Sequence, residues 1–311
     1  MRLPLNKLIL AISLVTLTAC SHNPNQNESN TAEDNQSVFP LATPVQISYQ
    51  DEVKLLRINQ MIADKEKVDD KQRAVLYYQR GLIYDRIGLS AHSRYDFTQS
   101  INIDPTLADS YKALGVYQLM GGAYDEAFES FDSAIELANV EYAYLHRAIG
   151  LSFVNRDKGA EEDINSFYQF DKADPYRSLW RYIINYRIDP KLALTQLKSA
   201  TKYKVKDGIA WDIIDVINGD ISEQELFANI SDGIQNNYEL AQRLCEVYYY
   251  LAHWHINNNN LHKGIYYLKL ALSTNVKDYI EYKYALVDLS IIQQQLLQEN
   301  IKTVPMPAQS E

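Results

Sequence analysis

A 34-residue repeat is the feature that most restricts the fold of this chain. Six positions between residues 73 and 139 recur at that single offset. The pairs are Gly81 and Gly115, Gly88 and Gly122, Ser93 and Ala127, Phe97 and Phe131, Ser100 and Ala134, and Pro105 and Asn139. Self-similarity at this period is typical of stacked helix-turn-helix units, each of which buries its apolar face against its neighbours.

The residue types at these positions suit a hairpin of two helices. Gly81 and Gly115 leave room for the first helix of a unit to approach the second closely. Gly88 and Gly122 supply the turn at the end of a helix, where glycine is favoured. The pattern resembles the tetratricopeptide repeat (TPR), and this resemblance implies a helical solenoid.

Helical periodicity continues beyond the two clear repeats, without the alternation that is typical of β-strands. We therefore predict an all-α fold, a TPR-type helical solenoid with additional non-repeat helices. The helical domain is predicted over residues 45–298, with repeats at about 73–106, 107–139, 140–172 and 245–276.

Local signals predict several helix boundaries. The third repeat is expected to contain helices over Glu141–Phe153 and Asp157–Phe170. Non-repeat helices are expected to begin at Pro175 and Pro190, and a capping box is predicted at Ser222 to Glu225. An amphipathic helix over residues 45–63 is expected to cap the array or to contact a second copy. A final helix is predicted over residues 279–298, followed by a disordered tail at 299–311.

The N-terminus carries a lipoprotein-type signal. Arg2 and Lys7 precede a short apolar run at residues 8–17. This run is shorter than the roughly 20 residues that a membrane-spanning helix needs. The letters LTAC at 17–20 resemble a bacterial lipobox, so a signal peptide over 1–19 and lipidation of Cys20 are expected. Residues 20–44 are polar and predict a flexible tether. Ser21 follows the cysteine, at the position where Asp would resemble the inner-membrane retention signal of proteobacterial lipoproteins. For a Gram-negative organism, this resemblance implies the periplasmic face of the outer membrane.

The charge of the chain restricts its partners. It contains 30 Lys and Arg against 40 Asp and Glu, a net charge of −10. Removal of Arg2 and Lys7 with the signal leaves 28 basic and 40 acidic residues, a charge of −12. No basic stripe is present that could neutralise phosphates, so nucleic acid is not an expected partner.

The sequence predicts no catalytic residues, metal site or cofactor. Cys245 and His253 lie eight residues apart, which on a helix separates them by roughly 12 Å and prevents proton transfer between them. A buried structural thiol is the expectation for Cys245. His253, His255 and His262 lack the spacing of a helical metal-ligand pair. No pair of carboxylates stands in an apolar setting in the sequence that would separate their pKa values.

The concave side of the array is the predicted partner-binding groove. In a solenoid of this type the first helix of each repeat lines the inner face, and counting from Gly81 assigns the inward positions. The predicted groove residues are Tyr78, Leu82, Asp85, Arg86, Lys112, Val116, Leu119, Met120, Tyr142, Leu145 and Ile149. Their mixture of apolar anchors and charges favours a docked peptide or helix. The alternative is that the superhelix closes on itself and buries them.

Two further segments make the resemblance more specific. Residues 174–182 read DPYRSLWRY and residues 281–286 read EYKYAL. Together with the lipobox, tether and repeats, they resemble the NlpI family of TPR lipoproteins over about residues 45–297. The resemblance implies a homodimeric, non-catalytic outer-membrane adaptor. Its implied partners are a periplasmic tail-specific protease, murein endopeptidases and other peptidoglycan enzymes, through which it regulates cell-wall turnover and cell division.

Two other functions are compatible with the same repeats. One is a lipoprotein that assembles or pilots an outer-membrane complex. The other is an enzyme, which the lack of a catalytic motif disfavours. Co-purification of a secretin or barrel protein would favour the first, and intrinsic activity on murein would favour the second.

Overall fold

The structure is a computed structural model that describes residues 39–64 and 66–303, with side chains through residue 298. All regular structure in these ranges is helical. The α-helices are α1 Tyr49–Ala63, α2 Asp70–Ile87, α3 Ser90–Ile103, α4 Ala108–Met120, α5 Tyr124–Ala138, α6 Glu141–Phe153, α7 Asp157–Phe170, α8 Pro175–Tyr186, α9 Pro190–Ala200, α10 Ile209–Asn218, α11 Glu223–Ala228, α12 Asn237–Asn257, α13 Leu261–Ser273 and α14 Ile280–Thr303. The predicted all-α solenoid is confirmed, since consecutive helices pack as antiparallel pairs, and a short 3₁₀ turn at Thr201–Tyr203 follows α9.

The first two hairpins have the geometry that the repeat predicts. A Cβ on Gly81 would lie 2.6 Å from Cε1 of Phe97, and a Cβ on Gly115 would lie 2.6 Å from Cε1 of Phe131. Any side chain at either glycine would therefore push α2 from α3, or α4 from α5. Gly88 closes α2 in the left-handed conformation at φ 83°, as a helix-ending glycine should.

The two divergent repeats also form hairpins. Helices α6 and α7 have the predicted bounds, and Ala148, Ala160 and Ile164 are fully buried between them. The fourth hairpin consists of α12 and α13. A Cβ on Gly264 would lie 3.1 Å from the carbonyl oxygen of Ala252, so this hairpin is also closely packed.

The first and third hairpins each contain an equivalent ion pair, which was not predicted from the sequence. Arg80 on α2 donates two hydrogen bonds of 2.7 Å to Asp96 on α3. Arg147 on α6 makes the same two 2.7 Å contacts with Asp163 on α7, 67 residues further along. The second hairpin has Ser130 at the equivalent position, and its hydroxyl donates to a glutamine instead. The pairs therefore tie the two helices of a hairpin together beside the glycine contact.

The N-terminal cap of α11 offers a test of local structure. Ser222 Oγ accepts the backbone N–H of Glu225 at 3.2 Å, and the Glu225 carboxylate accepts the Ser222 N–H at 2.6 Å, which confirms the predicted capping box. We expect Ser222→Ala to lower the free energy of unfolding by about 1 kcal/mol, because it removes one cap acceptor. Ser133→Ala, in mid-helix, should change it by less than about 0.5 kcal/mol. Urea unfolding measures the free energy of unfolding of both variants. Equal losses would contradict the capping function of Ser222.

Residues 39–44, the last part of the predicted tether, pack on the solenoid instead of forming a flexible linker. The Phe39 ring lies 5.2 Å from that of Tyr266 and 5.5 Å from that of Tyr267. Thr43 exchanges two 2.8 Å hydrogen bonds with the Asn237 side chain. The polar composition of residues 20–44 conceals this anchor, which includes Phe39, the single Phe, Tyr or Trp of that stretch.

The two ends of the helical body also differ from expectation. Helix α1 begins at Tyr49, where Ser48 caps it, rather than at residue 45. Helix α14 continues to Thr303, five residues beyond the predicted end, so residues 299–303 are not part of a disordered tail. The first residue that must stop this helix is Pro305, which explains the extension. The predicted tail at 304–311, the signal peptide and Cys20 lie outside the described residues.

None of the described helices combines the length and the apolar character that crossing a membrane requires.

Candidate functional site

The concave face of the solenoid is filled by its own last helix. Tyr284 of α14 is fully buried, with its ring centre 5.9 Å from that of His146, 6.4 Å from Phe153 and 6.0 Å from Trp180. Its hydroxyl lies 2.8 Å from Nδ1 of His146. One turn of α14 therefore occupies the position that a bound peptide would take in an open groove.

Charged contacts hold the same segment against the first hairpins. Lys283 Nζ lies 2.9 Å from Asp85 Oδ2 on α2, and both side chains are largely buried. Arg86 bridges Asp278, at 3.0 Å, and Asp51 of α1, at 2.9 Å. Two predicted groove residues, Asp85 and Arg86, thus bind the chain itself rather than a partner.

Four other predicted groove residues are buried in the core. They are Val116, Leu119, Leu145 and Ile149, whose exposed fractions are 7%, 1%, 0% and 3%. Counting along the first helices placed these residues on the inner face, but it could not show that they pack in the core. Leu119, for example, lies against α6, where a Cβ on Gly150 would be 2.9 Å from its Cδ1. The interpretation of these four residues as a partner-binding surface is therefore wrong.

The remaining groove residues lie in clefts or at an open end. Met120 lines a cleft of about 200 Å³ beside α14, and Tyr142 lines another of about 320 Å³. Tyr78 and Leu82 remain accessible on α2, and Lys112 on α4 pairs with Asp109 at 2.9 Å. Burial, together with the charge of Asp109, raises the pKa of Tyr78 to about 12, so its hydroxyl stays neutral.

The open end of the concave face carries an apolar strip on α2. Val75 and Leu82 are 38% and 37% exposed, and the half-buried Tyr78 lies between them. Positions i, i+3 and i+7 share one face of a helix, so these three side chains form one surface. We call Val75, Tyr78 and Leu82 the α2 strip.

The cleft of about 320 Å³ has a different character. It lies between the start of α14 and helices α6, α7, α8 and α12. Its residues are Tyr142, Phe167, Asp174, Tyr176, Trp180, Glu246, Asp278, Tyr279, Ile280 and Glu281. The segments DPYRSLWRY and EYKYAL, which are 100 residues apart in sequence, therefore meet at this cleft. We call it the acidic aromatic cleft.

Two carboxyl groups of this cleft share an apolar setting, contrary to the sequence-based expectation. Glu281 is 7% exposed and accepts a 2.8 Å hydrogen bond from the Tyr250 hydroxyl, and Glu246 accepts one from the Tyr176 hydroxyl. Burial, reinforced by the charge of Glu281, raises the pKa of Glu246 to about 8. Burial likewise raises the pKa of Glu281. This proximity could not be predicted from sequence spacing, because Glu246 lies on α12 and Glu281 on α14.

The cysteine and histidines form structural contacts. Cys245 is fully buried, as predicted, and burial raises the pKa of its thiol well above the usual range. His253 Nε2 lies 3.1 Å from Asp288 Oδ2, and His255 Nε2 lies 3.0 Å from Glu223 Oε1. In the part of the chain with described side chains, no three His, Cys, Asp or Glu residues converge as metal ligands would.

No protein-family model matches this sequence. The chain is similar to several solved structures at low sequence identity and with TM-scores below 0.5. YrrB, a TPR protein with an unusual peptide-binding site, has 11% identity and a TM-score of 0.41, with 75% of this chain and 97% of YrrB covered. PilF of Pseudomonas aeruginosa has 16% identity and a TM-score of 0.41, with 73% and 100% covered. MamA has 11% identity and a TM-score of 0.38, with 65% and 91% covered.

The assignment of the fold rests on the chain's own geometry. The 34-residue offset, the two equivalent glycine-to-phenylalanine contacts and the left-handed Gly88 and Gly122 together define the hairpin unit. The same unit recurs with drift in α6–α7 and α12–α13. The protein is an all-α helical solenoid of the tetratricopeptide-repeat type, with its own final helix in the concave face.

Proposed function

We propose that this protein is a non-catalytic adaptor that binds partner polypeptides. The observation that carries the proposal is the α2 strip, an apolar surface left uncovered at the open end of an otherwise filled concave face. Exposed apolar side chains in a concave setting favour protein-protein contact, and the neighbouring Lys112 and Asp109 provide a polar rim.

The resemblance to the NlpI family supplies the specific partners in this proposal. The adaptor would be a homodimer, anchored through lipidated Cys20 at the periplasmic face of the outer membrane. It would bring a tail-specific protease to murein endopeptidases and other peptidoglycan enzymes, and so regulate cell-wall turnover and cell division. The support for these partners is the lipobox, the tether and the segments DPYRSLWRY and EYKYAL.

A pull-down from periplasmic extract tests the adaptor function. The bait is the mature chain with Cys20 replaced by serine, which keeps it in solution. We expect recovery of a tail-specific protease together with a murein endopeptidase, and a loss of at least one of them with Leu82→Glu. Leu137→Glu is the matched control, because Leu137 is similarly exposed, at 44%, on α5.

The outcomes separate the possible functions. Retention of both partners by Leu82→Glu would remove the α2 strip from the proposal. Recovery of outer-membrane complex subunits alone would replace the proposed partners. Hydrolysis of murein by the purified protein would contradict the non-catalytic function.

A further inference from the structure

The acidic aromatic cleft contains a charge pattern that the fold itself does not balance. Glu246 and Glu281 both line the cleft, and hydroxyl groups are their hydrogen-bond partners. Within the described side chains, no Lys, Arg or His lies within 4 Å of either carboxylate. Burial favours the protonated form of such carboxyl groups, so a cation that enters the cleft would stabilise their ionised form by supplying the missing counter-charge.

The cations around the cleft are already bound elsewhere in the chain. Arg243, whose charge acts on Glu246, donates hydrogen bonds to the carbonyl oxygens of Ile230 and Asp232. Arg177 lies 2.8 Å from Glu141 and 3.4 Å from Asp174. Lys283 points the other way and pairs with Asp85. Of the carboxyl groups that line the cleft, Asp174 and Asp278 therefore pair with a cation, whereas within the described side chains Glu246 and Glu281 contact only uncharged groups.

The walls of the cleft suit an organic cation. Tyr142 of α6, Phe167 of α7 and Trp180 of α8 contribute aromatic rings, and Tyr279 adds one from the connection before α14. Ring faces attract ammonium and guanidinium groups, most strongly where water is excluded. The chain already uses this chemistry next to the cleft, since the Arg177 guanidinium lies 4.3 Å from the centre of the Phe167 ring.

The size of the cleft limits the ligand. A volume of about 320 Å³ is at the lower end of the range for small-molecule sites, which begins at about 300 Å³. One long basic side chain fits such a space, with its aliphatic part against the rings and its charged end at the carboxylates. A metal ion would leave the aromatic walls without a function.

We infer that the acidic aromatic cleft binds a lysine or arginine side chain of a partner polypeptide, with its charged end between Glu246 and Glu281. The inference rests on the proposed adaptor function, to which it adds the chemistry of a second contact point. The net charge of −10 is consistent with a basic partner segment.

Binding of small probes tests the cleft without any natural partner. N-acetyl-lysine methylamide and N-acetyl-arginine methylamide are titrated into the mature chain with Cys20 replaced by serine. N-acetyl-norleucine methylamide is the neutral control of similar shape. The indole N–H resonance of Trp180, assigned with Trp180→Phe, reports occupancy by NMR. We expect it to shift with the two cations and not with norleucine.

Charge-removing variants place the binding at the two glutamates. Glu246→Gln and Glu281→Gln keep the side-chain shape and an oxygen acceptor for Tyr176 and Tyr250. Each should weaken binding of the lysine probe about tenfold, which corresponds to the loss of one charge contact of about 1.4 kcal/mol. Glu129→Gln, on the exposed face of α5, is the matched control and should leave the affinity unchanged.

Failure of the cation site and failure of the adaptor function would give different results. Equal binding of norleucine, no binding of either cation, or full affinity in both glutamine variants would overturn the inference. A peptide Ac-Ala-Ala-Lys-Ala-Ala-NH2 that binds more tightly than the lysine probe would support a polypeptide ligand over a free amine. A negative pull-down together with specific binding of the cation would overturn the adaptor function and leave the cation site intact.

Discussion

Replacing Tyr284 with alanine is expected to lower the free energy of unfolding by about 4 kcal/mol, the largest effect of any substitution that we consider. Tyr284 is fully buried, and its ring contacts those of His146, Phe153 and Trp180. Truncation therefore leaves a cavity where α14 meets the concave faces of α6 and α8. Urea unfolding followed by circular dichroism measures the change.

Two companion variants separate packing from hydrogen bonding. Tyr284→Phe removes only the hydroxyl that contacts His146 and should cost about 1 kcal/mol. Leu297→Ala, on the exposed end of the same helix, should change stability by less than about 0.5 kcal/mol. A loss in Tyr284→Ala no larger than that in Leu297→Ala would show that α14 does not fill the concave face.

The free energy of unfolding is expected to fall by about 2 kcal/mol as the pH rises from 6.5 to 8. Each proton that only the folded state holds changes this free energy by about 1.4 kcal/mol per pH unit. Burial raises the pKa of Glu246 from 4.5 to about 8, so in this interval the folded state holds a proton that the unfolded state has lost. The unfolded state binds fewer protons, and rising pH therefore favours unfolding. Glu281, whose pKa is also raised by burial, acts in the same direction.

His146 opposes this trend below pH 6.5. Its burial lowers the pKa from 6.5 to about 3, so between these values the unfolded state holds the extra proton and falling pH favours unfolding. Glu246 and His146 therefore offset each other between about pH 4.5 and 6.5. Below about pH 4.5 the Glu223 carboxyl adds to the loss of stability in acid. Burial raises its pKa, but hydrogen bonds from His255, Lys263 and Tyr267 outweigh burial and lower the pKa to about 2.

The Glu246→Gln variant isolates the glutamate contribution. Urea unfolding at constant ionic strength and at pH 5.5, 6.5, 7.2 and 8 should give a plateau followed by a decline in the parent chain. The decline above pH 6.5 should be clearly smaller in Glu246→Gln. Below pH 6.5 the loss from His146, which Glu246 no longer offsets, should appear in place of the plateau. The same slope in both proteins would assign the titration to another group.

The hairpins could be predicted from the sequence because their contacts are local. Gly81 meets Phe97 sixteen residues later, and the same pair recurs as Gly115 and Phe131, so spacing alone identifies the contact. Helices α6 and α7 could be bounded to the residue from periodicity. The Arg80–Asp96 pair recurs at 67 residues and could have been found by extending the comparison to polar positions.

The filling of the concave face could not be predicted in this way. Tyr284 and His146 are 138 residues apart, and no periodic signal links α14 to α6. The segment EYKYAL looks amphipathic, yet Glu281, Lys283 and Tyr284 are all buried. Polar residues become buried here because each finds a specific partner on a distant helix, and only the fold supplies those partners.

Amide hydrogen exchange of α14 in the mature chain tests the central claim, that this helix occupies its own concave face. We expect the amides of residues 283–289 to exchange at the same rate as those of α12, because both exchange through global unfolding. This rate should be roughly a hundredfold slower than that of residues 293–298, whose side chains are exposed. Equal and fast exchange along the whole of α14, with α12 still protected, would contradict the claim and leave the concave face open to partners.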